Sequence, residues 1–134
     1  MLGPLSWVLI YVTDVAKTRH FYETILGLPV KRSSHLKTIF ETGSCTLELM
    51  SQLDNGPEAE QMDEKRGWDR NKTLISFFVD DIEAEVAALE SRGAHCISGI
   101  RPTVSDPGVA PRGRLAQFMD PEGNIIEICQ VPLD

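Results

Sequence analysis

The sequence lacks long apolar runs and the paired cysteines of a disulfide scaffold, and each absence excludes a class of protein. No stretch approaches the roughly 20 apolar residues that a membrane-spanning helix needs, so we expect no membrane partner. The three cysteines, Cys45, Cys96 and Cys129, are odd in number and widely spaced. This spacing favours reduced thiols over disulfide bridges.

Positive charge is also scarce. Thirteen Lys and Arg residues stand against 20 Asp and Glu residues, which gives a formal net charge of −7. Nucleic-acid binding draws most of its affinity from cations on phosphate, so we expect no nucleic-acid partner. No basic residue precedes the apolar opening Leu5–Val12, and this pattern is not that of a signal peptide. Together with the unpaired thiols, it predicts a cytoplasmic protein.

The sequence does contain a weak internal repeat. Residues 7–15 and residues 74–82 are both apolar runs that are closed by an acidic residue and followed by a helical pattern. Asp14 is the expected N-cap of the first helix, and Asp80 or Asp81 that of the second. A glycine at the C-terminal cap position ends each helix, Gly27 in the first repeat and Gly93 in the second.

Shorter strand-like runs follow each helix. We predict strands at Leu28–Ser34, Thr38–Glu41 and Cys45–Ser51 in the first repeat, and at His95–Ile100, Arg114–Met119 and Asn124–Val131 in the second. The turn Asp120-Pro121-Glu122-Gly123 suits type I geometry. The loop Arg101–Gly113 has three prolines and two glycines, and we expect no regular structure there.

These elements predict an α+β fold made of two βαβββ modules. Module 1 covers about residues 4–53, a polar connecting loop about 52–72, and module 2 about 73–132. One helix on four strands cannot bury enough surface to be stable alone, so two modules should pack together. The whole chain, residues 1–134, is then expected to form one domain.

Two motifs resemble a known family. The segments Val-Thr-Asp-Val and Phe-Tyr-Glu-Thr-Ile-Leu-Gly-Leu-Pro-Val in the first repeat, with Phe-Met-Asp-Pro-Glu-Gly-Asn-Ile-Ile-Glu-Ile near the end, are similar to the vicinal oxygen chelate superfamily. That family includes glyoxalase I, bleomycin-resistance proteins and extradiol dioxygenases. The resemblance implies a glyoxalase-like fold, in which a curved mixed sheet encloses a concave groove. It also implies a homodimer, with each groove formed by the first half of one chain and the second half of the other.

The resemblance further implies four metal-ligand positions, and two of them have changed. The family's two histidine positions fall on Trp7 and Leu74, whereas its carboxylate positions fall on Glu48 and Glu127. An indole offers only an N–H donor and a leucine offers no ligand at all. We therefore expect a degenerate metal site with no cofactor, although two carboxylates leave a weakly held Mg²⁺ or Mn²⁺ open.

Strand alternation groups the side chains that share a face, because residues two apart point to the same side, and the resemblance implies that these faces line one groove. The predicted ligand-binding set is Trp7, Tyr11, Glu48, Met50, Leu74, Phe78, Glu127 and Cys129. Such a site has apolar walls and few polar anchors, as small-molecule binding requires. The alternatives are that the aromatic residues are ordinary core, that the two glutamates form salt bridges with Arg32, Arg112 or Arg114, and that Cys129 is a buried structural thiol.

The sequence leaves three functions open. The leading prediction is a metal-free protein that binds an aromatic or amphipathic small molecule, similar to bleomycin-resistance proteins. The second is a glyoxalase-type lyase or isomerase with Glu127 or Glu48 as the catalytic base, assisted by a weak or substrate-bound divalent metal. The third is a scaffold or regulatory domain whose groove is filled by Trp7, Leu74 and Phe78.

Overall fold

The computed structural model describes Met1, residues 3–51 and residues 74–132. The chain divides into two compact units, Met1–Arg70 and Asn71–Asp134. The connecting loop predicted at about 52–72 lies outside the described residues. In the described part, the elements follow each other in the order predicted for two βαβββ modules.

The first unit is a four-stranded mixed sheet with one short helix. Its elements are β1 (Trp7–Val12), α1 (Val15–His20), a π-helical segment (Phe21–Ile25), β2 (Val30–Ser33), β3 (Lys37–Phe40) and β4 (Thr46–Ser51). The strand order is β1-β4-β3-β2, with β1 parallel to β4 and the other neighbours antiparallel. The crossover that joins β1 to the rest of the sheet contains α1.

The helix of the first unit begins and ends where the sequence predicts. The Asp14 carboxylate accepts a hydrogen bond from the Lys17 backbone N–H at 3.0 Å, and Gly27 follows the last helical turn with φ +78°. The sequence predicts a helix up to Gly27, but it does not predict that the last part, Phe21–Ile25, is π-helical. This part contributes the fully buried Tyr22, whose ring lies 5.9 Å from that of Phe40 on β3. The helical segment therefore covers the sheet face to which Phe40 belongs.

The second unit repeats this plan. It contains β5 (Ile75–Phe78), α2 (Ile82–Ser91), β6 (Arg101–Pro102), β7 (Arg114–Met119) and β8 (Ile125–Gln130). The order is β5-β8-β7-β6, with β5 parallel to β8. Of the two N-cap candidates, Asp81 is the one that caps α2, because its carboxylate accepts from the Ala84 N–H at 3.0 Å. The buried core on the helix side includes Ile82, Leu89, Ala116, Phe118, Ile126 and Ile128.

The predicted turn between β7 and β8 is confirmed. The Gly123 N–H donates to the Asp120 carbonyl at 3.1 Å, which closes the four-residue turn. The buried Asp120 carboxylate also accepts from the backbone N–H groups of Glu122 and Asn124. Because these contacts fix the turn, they also fix the register that places Gln117 opposite Glu127.

The strand predicted at His95–Ile100 is wrong. In that segment Cys96 forms an isolated bridge with Phe118, and Gly99 has φ +66°, a conformation that ends an extended run. The short strand β6 lies instead at Arg101–Pro102, within the loop for which we expected no regular structure. Proline at the end of an edge strand is tolerated because its missing N–H faces away from the neighbouring strand.

The α+β fold class is confirmed, since two four-stranded mixed sheets with few helices match the glyoxalase-like fold. That the two modules form one domain stays a prediction. Within the described ranges, no helix has the length and apolar character needed to cross a membrane.

The close approach of Gly113 to the end of β8 gives a test of this fold. A Cβ atom at Gly113 would overlap the Gln130 carbonyl oxygen and lie 2.8 Å from Cγ1 of Val131. Gly113→Ala should therefore lower the free energy of unfolding by about 1–3 kcal/mol, measured by denaturant titration. Gly3→Ala is the control, because its Cβ would meet open space. Equal stabilities of the two variants would contradict the packing described here.

Candidate functional site

The first unit has one sheet face that the helix does not cover. Glu48 on β4 pairs with Leu9 on β1 and with Ile39 on β3, and residues paired in register share a face. Successive side chains of a strand point to opposite faces of the sheet. The Phe40 ring packs against Tyr22 of the helical segment, so Ile39, the residue before it, points to the face opposite the helix. We call it the first open face, and it carries Trp7, Leu9, Tyr11, Lys37, Ile39, Thr46, Glu48 and Met50.

A tryptophan covers a buried carboxylate on this face. The Trp7 indole Nε1–H donates to Oε2 of Glu48 at 2.8 Å. Glu48 is 2% exposed, although Trp7 is 45% exposed and Leu9 is 38% exposed. The indole therefore supplies both the donor that a buried carboxylate requires and part of the cover that keeps water from it.

The second oxygen of Glu48 is less well partnered. The Lys37 ammonium lies 3.9 Å from Oε1, which balances the charge but is too long for a hydrogen bond. Among the described residues, none donates a hydrogen bond to Oε1, and this atom is buried. The alternative of an arginine salt bridge is wrong for Glu48, because its ion-pair partner among the described residues is Lys37. Arg114 instead forms a two-pronged pair with Glu83, in which Nη2 lies 2.9 Å from Oε2.

The second unit holds its carboxylate differently. Ser76 on β5 and Gln117 on β7 both lie opposite Glu127 on β8. The Ser76 hydroxyl donates to Oε1 of Glu127 at 2.9 Å, and the Gln117 amide donates to Oε2 at 3.3 Å. Glu127 is half-buried, so these donors hold a carboxylate that solvent still reaches.

The face of the second sheet that carries Glu127 also exposes large apolar side chains. We call it the second open face, and it carries Ser76, Phe78, Leu115, Gln117, Met119, Ile125, Glu127 and Cys129. Phe78 is 77% exposed, and Leu74, immediately before β5, is 43% exposed. Exposed apolar groups of this size around a polar anchor are typical of binding surfaces.

Cys129 lies beside Glu127 on β8. Burial raises the pKa of the Cys129 thiol, and the negative charge of Glu127 raises it further. A raised pKa keeps the thiol protonated at neutral pH, and the thiolate is the reactive form. Cys129 is therefore poorly suited to nucleophilic attack.

The residues at the implied metal-ligand positions do not fit a transition-metal ion. Each unit supplies one carboxylate at these positions, and Trp7 and Leu74 supply no lone pair. The Lys37 ammonium would also repel a cation approaching Glu48. Over residues 3–51 and 74–132, there is no group of three or more His, Cys, Asp or Glu side chains that could hold a metal.

Two cavities lie away from most of the predicted set. A cavity of about 410 Å³ in the second unit is lined by Phe78, Arg112 and Gln130, among others. One of about 390 Å³ in the first unit is lined by Arg19, His35 and their neighbours. Phe78 alone among the predicted ligand-binding residues contributes to these two cavities.

Sequence reasoning missed Lys37 and Gln117. Both stand on strands that pair with the glutamate-bearing strand, so the register decides that they reach a carboxylate. The signal that could have found them is a polar residue at an open-face position of an otherwise apolar strand. The register itself could not be read from the sequence.

Comparison with known proteins identifies the family. The model of the Glyoxalase/Bleomycin resistance protein/Dioxygenase superfamily matches residues 5–128. The chain belongs to this superfamily, which confirms the resemblance seen in its motifs. It is 28% identical over 127 residues to the uncharacterized protein YraH of Bacillus subtilis (strain 168), covering 92% of this chain and 95% of YraH.

Solved structures share the fold. The fosfomycin resistance protein FosX from Listeria monocytogenes is similar with a TM-score of 0.70 and 19% identity, over 99% of this chain and 97% of FosX. TnmS3, an antibiotic binding protein from Streptomyces sp. CB03234, has a TM-score of 0.66 and 20% identity, over 98% of both chains. At these identities the likeness is one of fold, because members of one fold differ in chemistry.

The Trp7–Glu48 hydrogen bond can be tested by a double-mutant cycle. Trp7→Phe should lower the free energy of unfolding by about 1–3 kcal/mol, because it leaves Oε2 of a buried carboxylate without its donor. In a Glu48→Met background, Trp7→Phe should lower the free energy of unfolding by at least about 1 kcal/mol less than it does in the unchanged protein. The measurement is denaturant unfolding of the four proteins, and strictly additive losses would contradict the bond.

Proposed function

We propose that this protein binds an aromatic or amphipathic small molecule against its open sheet faces, without a resident metal ion. The observation that carries the proposal is the combination found in each unit. A sheet face that no helix covers exposes large apolar side chains around one carboxylate, and protein donors already hold that carboxylate. TnmS3, whose fold this chain shares, is an antibiotic binding protein, and this activity is of the same kind.

The apolar part of the proposal rests on exposure. Trp7, Leu74 and Phe78 would be expected in a core if they served only packing, yet each is more than two-fifths exposed. Exposing such side chains to water is unfavourable by about 25 cal/mol per Å² of apolar surface. A ligand with a flat or apolar surface would remove this cost and could stack on the aromatic rings. The same exposure argues against the occluded scaffold, which requires these side chains to fill the groove.

The polar part of the proposal rests on the two glutamates. A largely apolar binding site needs a few fixed polar groups to orient its ligand. Glu48 is fixed by Trp7, and Glu127 by Ser76 and Gln117, so neither side chain is free to turn away. Tyr11, Met50 and Cys129 complete the proposed ligand-binding set around them.

A homodimer belongs to the proposal as well. In the described sheets, β1 and β5 are edge strands. Edge strands offer unpaired backbone groups that favour pairing with another strand. We retain the groove that the family resemblance implies, formed by the first half of one chain and the second half of the other, and a cytoplasmic location.

Calorimetric titration with Zn²⁺, Mg²⁺ and Mn²⁺ tests the metal-free claim. We expect no stoichiometric binding tighter than about micromolar, because each unit presents one carboxylate at the family's ligand positions. The matched control restores both imidazoles in Trp7→His/Leu74→His, which should gain at least about tenfold in Zn²⁺ affinity. Stoichiometric submicromolar binding by the unchanged protein would contradict the proposal.

An enzyme is the second candidate, and the exposure of Glu127 favours it. Unlike Glu48, Glu127 is reached by solvent on an open face, so its carboxylate can meet a substrate proton. A lyase or isomerase of the glyoxalase type would use it as a general base, with a divalent metal held weakly or by the substrate. Glu48 is the weaker base candidate because the indole and the lysine already cover it.

Glu127→Gln separates the two candidates. An amide keeps the shape of the carboxylate but cannot take a proton, so an enzyme should lose turnover by about 10²–10⁴-fold on any substrate that the unchanged protein converts. A binding protein should keep measurable affinity for its ligand. Glu41→Gln, which changes an exposed carboxylate paired with Lys31, is the control for the loss of charge. Unchanged turnover in Glu127→Gln would remove Glu127 from the catalytic role.

A further inference from the structure

Two buried side-chain oxygens of the described residues have no hydrogen-bond partner, Oγ1 of Thr18 and Oε1 of Glu48, and only the second belongs to a charged group on the first open face. The Glu48 oxygen is buried, it belongs to a side chain that is 2% exposed, and no described residue donates a hydrogen bond to it. Native proteins rarely leave such an acceptor unpaired, because the group has lost its hydrogen bonds to water and gained none. The atom therefore marks a place where a donor from outside the protein would be favourable.

From this atom we infer that the first open face recognises a planar, uncharged ring that carries an O–H or N–H donor, with the donor directed to Oε1 of Glu48. The inference rests on the proposed function and specifies the ligand class for one face. Trp7 and Leu9, both exposed beside Glu48, provide the apolar surface for the ring. The carboxylate oxygen provides the polar contact that fixes its orientation.

Because of Lys37, we expect the ligand's donor group to be uncharged. Its ammonium is 3.9 Å from Oε1, so the carboxylate charge is already balanced. A cationic ligand would meet a like charge at this distance, whereas a neutral O–H or N–H group leaves the balance intact. The Lys37 side chain is 44% exposed and flexible, so its ammonium can move aside while a donor reaches Oε1.

Because of Trp7, the oxygen that accepts a hydrogen bond from the ligand is Oε1 and not Oε2. The indole N–H already occupies Oε2 at 2.8 Å, and it holds the carboxylate plane in one orientation. A ligand that lacks a donor can still cover the apolar surface, but it leaves Oε1 unpaired and excludes water from it. The face should therefore discriminate between two rings that differ only in a donor hydrogen.

Three quinoline probes test this inference at neutral pH. They are 6-hydroxyquinoline, which has a donor, 6-methoxyquinoline, which has none, and N-methyl-6-methoxyquinolinium, which is a cation. Binding is followed by NMR from the indole N–H signal of Trp7 in a Trp68→Phe background, where it is the sole tryptophan. We expect 6-hydroxyquinoline to bind at least about tenfold more tightly than either of the others, as a hydrogen bond to a charged acceptor predicts.

Glu48→Gln assigns the preference to the proposed atom. Its amide oxygen can still accept from Trp7, which places an N–H₂ donor where Oε1 was. The preference for 6-hydroxyquinoline should then disappear, while Glu41→Gln should retain it. If Glu48→Gln does not fold, Lys37→Met replaces it. Removing the ammonium that balances the charge near Oε1 makes this atom depend more on a ligand donor, so the preference should rise at least about threefold, on the order of 0.6 kcal/mol.

The outcomes separate this inference from the proposed function. Equal affinities for the hydroxy and methoxy probes, tighter binding of the cation, or a preference that Glu48→Gln or Lys37→Met leaves unchanged would each overturn the inference alone. If no probe shifts the Trp7 signal with a saturable dependence, both the inference and aromatic binding at this face fail.

Discussion

A carboxylate taken out of water must be given donors, and this constraint organises the first unit. The β1–β4 register places Leu9 opposite Glu48, so that Trp7, two residues earlier, can reach Glu48 diagonally with its indole N–H. The pairing of β3 with β4 brings Lys37 to the same carboxylate from the other side. An unpaired buried charge would destabilise the fold by several kcal/mol. The sheet topology and the burial of Glu48 therefore depend on each other.

The second unit meets the same constraint with less burial. Ser76 and Gln117 donate to Glu127 from the strands on either side, and neither is large enough to exclude water as an indole does. One carboxylate is therefore enclosed and charge-balanced, whereas the other is hydrogen-bonded and reachable. For this reason the proposed function uses Glu48 as the orienting acceptor, and the second candidate, an enzyme, uses Glu127 as its base.

Much of the fold could be predicted because its signals are local. The apolar runs, the caps at Asp14 and Asp81 and the Asp120–Gly123 turn are set by neighbours in the sequence, and the structure forms all of them. The π-helical form of Phe21–Ile25 and the strand β6 could not be predicted, because burial of Tyr22 and the turn at Gly99 depend on packing.

The sequence predicted residues of the candidate site but not the contacts between them. Alternation predicted that Trp7 shares a face with Tyr11 and that Glu48 shares one with Met50. Only the family resemblance implied that these two faces line one groove. Neither could reveal the hydrogen bond between Trp7 and Glu48 or the ion pair with Lys37, because both contacts require the register of three strands. The family resemblance pointed to these positions as former metal ligands, whereas the structure shows one of them donating a hydrogen bond to another.

The central claim is that the Trp7 indole holds Glu48 and no metal ion does. Paramagnetic broadening measures this directly: Mn²⁺ is added at substoichiometric amounts while the Trp7 indole N–H signal is recorded in the Trp68→Phe protein. A metal bound to Glu48 would lie within a few ångströms of that hydrogen. The account predicts a sharp signal that Mn²⁺ does not change beyond the broadening of exposed backbone amides. Selective loss of the Trp7 signal at low Mn²⁺ would contradict it.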